Sequence, residues 1–272
     1  MKYSVLVITL LLIFTSCGKK QSSAKRVAPV PQQEIEHIMA AQEMECASLS
    51  GSCPSGIARL IIVNPGDEEK SSFCTGFMIS QRRLVTNHHC ISTQLQCSNT
   101  YVAIFDGAGY ERHRCLRLIS GREDVGDPND PERAIDYAVM ELSESFDGKV
   151  FSLSPQLASP DEHIRTWVID HTGLDMPDAN LTHSRITEFE CVVMDQEERA
   201  SLVMLRCPII SGNSGSPALN EKGEVVGVIW GGTALVDSRL DLHQRRALDD
   251  YGLATEVSHF RRYLPEKSPV LY

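Results

Sequence analysis

From residue 57 onward the chain is written in short apolar runs, rich in Val, Ile and aromatic residues, and each ends at a turn signal. IARLIIV (57–63), GFMIS (76–80), RLVT (83–86), YVAIF (101–105), CLRLI (115–119) and DYAVMEL (136–142) form a first set. IRTWVID (164–170), SRITEFECVVM (184–194), ASLVMLRC (200–207), EVVGVIW (224–230) and YGLAT (251–255) form a second. Such residues suit a pleated, half-buried surface. No long helical stretch separates the runs, so the strands pair antiparallel, in barrels or sandwiches. The two sets divide near residue 150, giving expected units over 46–150 and 151–272. GREDVGDPND (121–130) reads as a long loop, and EVSHFRRYL (256–264) as a short terminal helix stopped by Pro265.

The cysteines say where such a chain lives. There are nine, an odd number for an exported protein. One of them, Cys17, follows Lys2, an apolar run from Val5 to Phe14, and the small residues Thr15 and Ser16. That run is too short to span a bilayer core of ~30 Å as a helix. Basic start, apolar core and small residues read as a secretory signal over 1–16. The cysteine after it resembles the lipobox of bacterial lipoproteins, which implies lipidation at Cys17 and attachment to a membrane. Removing Cys17 leaves Cys46, Cys53, Cys74, Cys90, Cys97, Cys115, Cys191 and Cys207, a set that can pair fully in an oxidising compartment. Eight cysteines allow about 105 connectivities. The expectation is pairing of sequential neighbours: 46–53, 74–90, 97–115 and 191–207. For the last pair, a hairpin turning at QEER (196–199) brings Cys191 opposite Cys207 and stiffens the segment entering residue 208.

Residues 17–45 read as a tether. GKKQSSAKR is polar and basic, VAPVPQQ carries helix-blocking prolines, and EIEHIMAAQEME is a candidate for one short helical stretch. The formal net charge is −10, and no basic stripe with interleaved aromatics appears, so a nucleic acid is not an expected partner. No Cys₂His₂ or HExxH spacing points to a metal, and no cofactor is expected.

The chemistry gathers at three places. ISGNSGSP (210–217) sets Ser214 in a turn punctuated by glycines, which expose a hydroxyl and let backbone N–H groups point beside it. A serine hydroxyl needs a base, and LVTNHHC (84–90) offers His88 and His89 directly after a strand. A base needs an acceptor on its far nitrogen, and Asp136 begins an otherwise apolar strand, where a buried carboxylate is costly unless paired.

These residues resemble the trypsin-like (chymotrypsin-fold) serine endopeptidases, and most closely the bacterial branch of glutamyl and lysyl endopeptidases. CTGFMIS…LVTNHHC is similar to the family's strand–loop–histidine segment with its bracketing cysteine pair, and its offset puts the general base at His89. DYAV is similar to the aspartate strand and points to Asp136. GNSGSP matches the nucleophile turn at Ser214. The resemblance spans about residues 46–264, in the chain order His, Asp, Ser. It implies two antiparallel six-stranded β-barrels, an acyl-enzyme, and an oxyanion hole in the turn Gly212, Asn213, Ser214, its donors the N–H groups of Gly212 and Ser214. VVGVIWGG (225–232) is similar to the strand lining the substrate groove, which assigns Ile229, Trp230 and Gly231 to the substrate.

The chain departs from the family in its pocket. Pro208 stands six residues before Ser214, where trypsin has an acid, and no Asp or Glu lies between 200 and 213. Ile229 stands where glutamyl endopeptidases carry His. Pro208, Ile209 and Ile229 therefore predict a pocket for a small or apolar residue such as Val, Ala or Leu. No Ile-Val-Gly-Gly start is present, and SGIARLIIV runs on from Cys53, so a zymogen cut need not occur. The sequence predicts an exported, lipid-anchored, monomeric serine endopeptidase acting on peptides or proteins. Two rivals remain: an inactive surface-anchored binding scaffold of the same fold, and a periplasmic quality-control protease.

Overall fold

The computed structural model describes residues 43–48, 51–63, 71–124, 135–170, 183–194, 201–232 and 251–263. The signal segment, Cys17, most of the tether, the expected turn at 196–199 and residues 125–130 of the expected loop lie outside the described residues. Among the described residues thirteen strands appear, with one five-residue helix.

Six strands close a first barrel: β2 (Ile57–Val63), β3 (Ser71–Ser80), β4 (Arg83–Thr86), β5 (Thr100–Phe105), β6 (Tyr110–Asp124) and β7 (Ile135–Leu142), in the order β2-β3-β4-β7-β6-β5. The second is built from β8 (His163–Asp170), β9 (His183–Val193), β10 (Ser201–Leu205), β11 (Pro217–Leu219), β12 (Val225–Gly232) and β13 (Tyr251–Glu256). They run β9-β10-β13-β12-β11-β8, and pairing of β8 with β9 closes the ring. Strand β1 (Glu43–Ala47) adds in parallel to β9, Glu43 opposite His183. The fold is all-β, two six-stranded antiparallel barrels side by side.

Alternation along each strand explains the nearly unbroken apolar runs. In β2, Ala58, Leu60 and Ile62 point into the first barrel with Met78, Leu84, Met140 and Phe146. Ile57 faces the other way, into a shared core with Phe77, Val85, Tyr137 and Val139 from the first barrel. Trp167, Ile169, Leu219 and Val228 meet them there from the second. Ile164 and Val168, on the opposite parity of β8, fill the second barrel's own interior with Val226 and Ile229 of β12, where a register shift against β11 breaks the alternation. A strand buried on both faces has no reason to carry polar residues on either.

Four disulfides join Cys46–Cys53, Cys74–Cys90, Cys97–Cys115 and Cys191–Cys207, each a pair of sequential neighbours. Cys97 lies on the helix α1 (Gln94–Ser98), capped by Thr93, whose hydroxyl accepts from Gln96 N.

Three local expectations differ. Glu43, Met44 and Glu45 end the candidate helical stretch yet form β1, because the open edge of β9 supplies backbone partners. Residues 121–124 do not open a loop; β6 continues through them, paired with β7 as far as Asp124 opposite Ile135. The terminal segment forms two single 3₁₀ turns, Val257–His259 and Arg261–Tyr263. Val257 and Phe260 are buried and Tyr263 packs at the edge of the inter-barrel core, an anchoring that outweighs the weak preference for an α-helix.

Candidate active site

The site begins where β4 ends. Thr86 is the last strand residue, and Asn87, His88 and His89 turn away from it. Asp136, near the start of β7, is 5% exposed. Its carboxylate is satisfied by that turn: Oδ1 accepts from His88 N at 2.5 Å and His89 N at 3.2 Å, while Oδ2 meets His89 Nδ1. A carboxylate only accepts, so Nδ1 carries the proton and Nε2 is left as the basic nitrogen. The His89 side chain is 39% exposed, so its ring lies at the surface and not in the core. Asn87 Nδ2 donates to Asp136 O at 2.8 Å, tying the two segments a second time. His88 turns elsewhere, its Nδ1 3.1 Å from Glu123 Oε2.

Asp136 is also gripped from the other barrel. Thr255 on β13 accepts from Asp136 N at 2.8 Å and donates to Asp136 O at 3.1 Å. The acid's backbone is thus registered against the second barrel.

Ser214 arrives on the turn between Cys207 and β11. Gly212 and Gly215 both have positive φ, +91° and +92°, a region that a residue with a Cβ enters only under strain. The turn docks on β3: Thr75 N donates to Ser214 O at 2.7 Å. His89 has a ring nitrogen within 4.8 Å of both sulfurs of the Cys74–Cys90 bridge. The adjoining residues Cys74 and Thr75 therefore meet both the histidine and the serine turn. Those sulfurs are bonded to each other, so they offer no thiolate to a metal.

Within the turn, Asn213 differs from its sequence expectation. Its own N–H donates to Ile210 O at 3.1 Å and is unavailable to an oxyanion. Its side chain, 1% exposed, accepts from Ile210 N at 3.0 Å and donates to Ile169 O at 3.0 Å. It is a brace, not a donor. The amides of Gly212 and Ser214 have no backbone acceptor among the described residues, which suits them to a developing negative charge.

A family model described as a trypsin-like peptidase domain matches residues 74–228, more than half of the chain. The chain belongs to that family. Among solved structures, it is similar to two scabies mite inactivated protease paralogues. S-D1 is 15% identical with a TM-score of 0.52, over 76% of this chain and 89% of that one. S-I1 is 14% identical with a TM-score of 0.51, over 76% and 91%. Both likenesses concern the fold.

The residues expected to meet the substrate fall in two groups. Trp230 and Gly231 are half-buried on β12, as a groove strand requires. Ile209 and Ile229, expected in the pocket wall, instead pack in the second barrel's interior, 4% and 0% exposed. Ile209 lies against Gly252, where a Cβ would come within 3.2 Å of it. Pro208 lines a cavity of about 270 Å³ with Val168, Arg185, Thr187, Phe189, Ile210 and Asn213, behind the serine turn. Residues 233–250, which follow the groove strand, lie outside the described residues.

Sequence reasoning missed Thr75, Thr86 and Thr255. Each is a buried threonine in an apolar strand, and that mismatch of residue and setting was the available signal.

Proposed function

We propose that this trypsin-like chain is an exported serine endopeptidase in which Ser214 attacks the scissile carbonyl. His89 takes the serine proton through Nε2 and returns it to the leaving amine. Asp136 holds His89 in the tautomer that this transfer needs and stabilises the imidazolium. The amides of Gly212 and Ser214 receive the oxyanion. The observation that carries the reading is the Asp136 carboxylate, buried yet bonded to both backbone and ring of the His89 turn. A purely structural acid would not need an exposed imidazole as partner.

The scabies mite proteins are described as inactivated, so activity is the point to test. Ser214→Ala is expected to abolish hydrolysis of a casein-type substrate while leaving the melting temperature unchanged; full activity in that variant overturns the assignment. A fluorophosphonate probe separates the enzyme from the binding-scaffold reading, since only an active serine is labelled.

The pocket is proposed to accept a small or apolar residue before the scissile bond. No carboxylate lies between 200 and 213 to neutralise a Lys or Arg side chain. Peptides differing only at that residue test it, and preference for a charged side chain refutes it. Affinity to the glutamyl and lysyl branch rests on the motifs, as does lipidation at Cys17. Four disulfides agree with an oxidising, exported setting. Mass spectrometry of the membrane-extracted protein tests the anchor: an unmodified Cys17 rejects it.

A further inference from the structure

Thr75 bonds to both carbonyls that flank the Ser214 amide. Its N–H donates to Ser214 O at 2.7 Å, and its Oγ1 donates to Gly212 O at 2.9 Å. Its own carbonyl accepts from Thr86 Oγ1 at 2.7 Å, on the strand that continues into His89. Thr75 and Thr86 are both fully buried. Gly215 packs on the same carbonyl so closely that a Cβ there would lie 1.8 Å from the oxygen.

The consequence follows from the planarity of peptide units, whose C=O and N–H point in opposite directions. The unit joining Gly212 to Asn213 is pinned at both ends, its C=O by Thr75 Oγ1 and its N–H by Ile210 O. The unit joining Ser214 to Gly215 is pinned likewise, by Thr75 N and Ile229 O. Between them lies the unit that carries the Ser214 N–H; its own C=O accepts from Ser216 N at 3.0 Å, and the units on both sides of it are held. Glycines at 212 and 215 are otherwise the residues best able to flip.

Resting on the proposed triad, we propose that the Thr75 hydroxyl is a positioning group for the oxyanion donors, acting across the barrel interface. It touches neither substrate nor reacting atoms. The backbone N–H at position 75 is available whatever the residue; the grip on Gly212 O needs a hydroxyl.

Thr75→Val keeps the shape and removes that hydroxyl, leaving Gly212 O unpaired in a dry interface. We expect kcat to fall about tenfold to a hundredfold, with KM within about twofold, because the donors act on the transition state and not on the bound substrate. Thr75→Ser restores the donor and brings kcat back to within about threefold. Hydrogen exchange of the Asn213 amide, measured on the intact chain, speeds up in Thr75→Val and not in Thr75→Ser, as the pinned peptide loosens. Wild-type kcat in Thr75→Val, a Thr75→Ser variant as slow as the valine, or unchanged exchange each overturns the proposal. If the valine variant does not fold, Thr75→Ala carries the same comparison. Should the wild-type chain resist fluorophosphonate, the peptidase reading fails, and the exchange comparison still decides whether Thr75 holds the turn.

Discussion

Glu256 is a buried carboxyl whose charge works against the fold. It ends β13 at 8% exposure, and burial pushes its pKa above the ordinary carboxylate range, with a Ser258 hydrogen bond pulling the other way. A raised pKa means that ionisation costs more folded than unfolded. The penalty is absent below the unfolded carboxyl pKa of roughly 4.3 and is fully present above the raised folded value. Glu256→Gln is therefore expected to raise the melting temperature at neutral pH. The gain should shrink as pH falls through the carboxyl range; a gain independent of pH would show that charge is not its cause.

Among the elements, the β9–β10 hairpin governs how the serine turn is presented. Met204 pairs with Val193 and Leu205 with Val192, and the Cys191–Cys207 bridge closes the hairpin one residue before Pro208. The bridge encloses a separation of 16 residues, for which the loss of loop entropy on unfolding is about 3 kcal/mol. Replacing both cysteines by serine should lower unfolding stability in urea by roughly that amount. Because Gly252 packs against both Cys207 of the bridge and Ile209, peptide turnover should also fall; unchanged stability would assign the bridge a passive role. The terminal 3₁₀ turns act similarly on β7: Tyr137 packs on Phe260 at 5.9 Å and on Tyr263 at 6.3 Å.

Taken as one body, the molecule has a core inside each barrel and a third between them. Trp167, Phe77, Tyr137 and Phe260 share the third, so neither barrel is fully buried without its partner. Unfolding should be a single transition. Fluorophosphonate labelling and near-ultraviolet dichroism are expected to be lost at one urea concentration, and two separate midpoints would refute the coupling. Trp167→Ala should cost about 3–5 kcal/mol and lower both midpoints together.

Residue type and local order sufficed for most of the strands and for picking out His89 and Asp136, which the fold brings together. A histidine beside a cysteine, an acid in an apolar strand and a serine among glycines each announce themselves within a few positions. The disulfide pairs were legible for the same reason, since every partner is the next cysteine along. Thr75, Thr86 and Thr255 were not legible as positioning groups. Thr75 acts on a carbonyl 137 residues away and Thr255 on one 119 residues away. Alternation along a strand says that a residue faces one side or the other, but not what waits there. Ile209 shows the limit: its apolar character was read from the chain, while its place in the barrel core was decided by closure of β9 on β8. Side-chain chemistry is local to a residue, so candidate groups can be read from the chain; alignment depends on which faces meet, and only the packing of two closed barrels settles that.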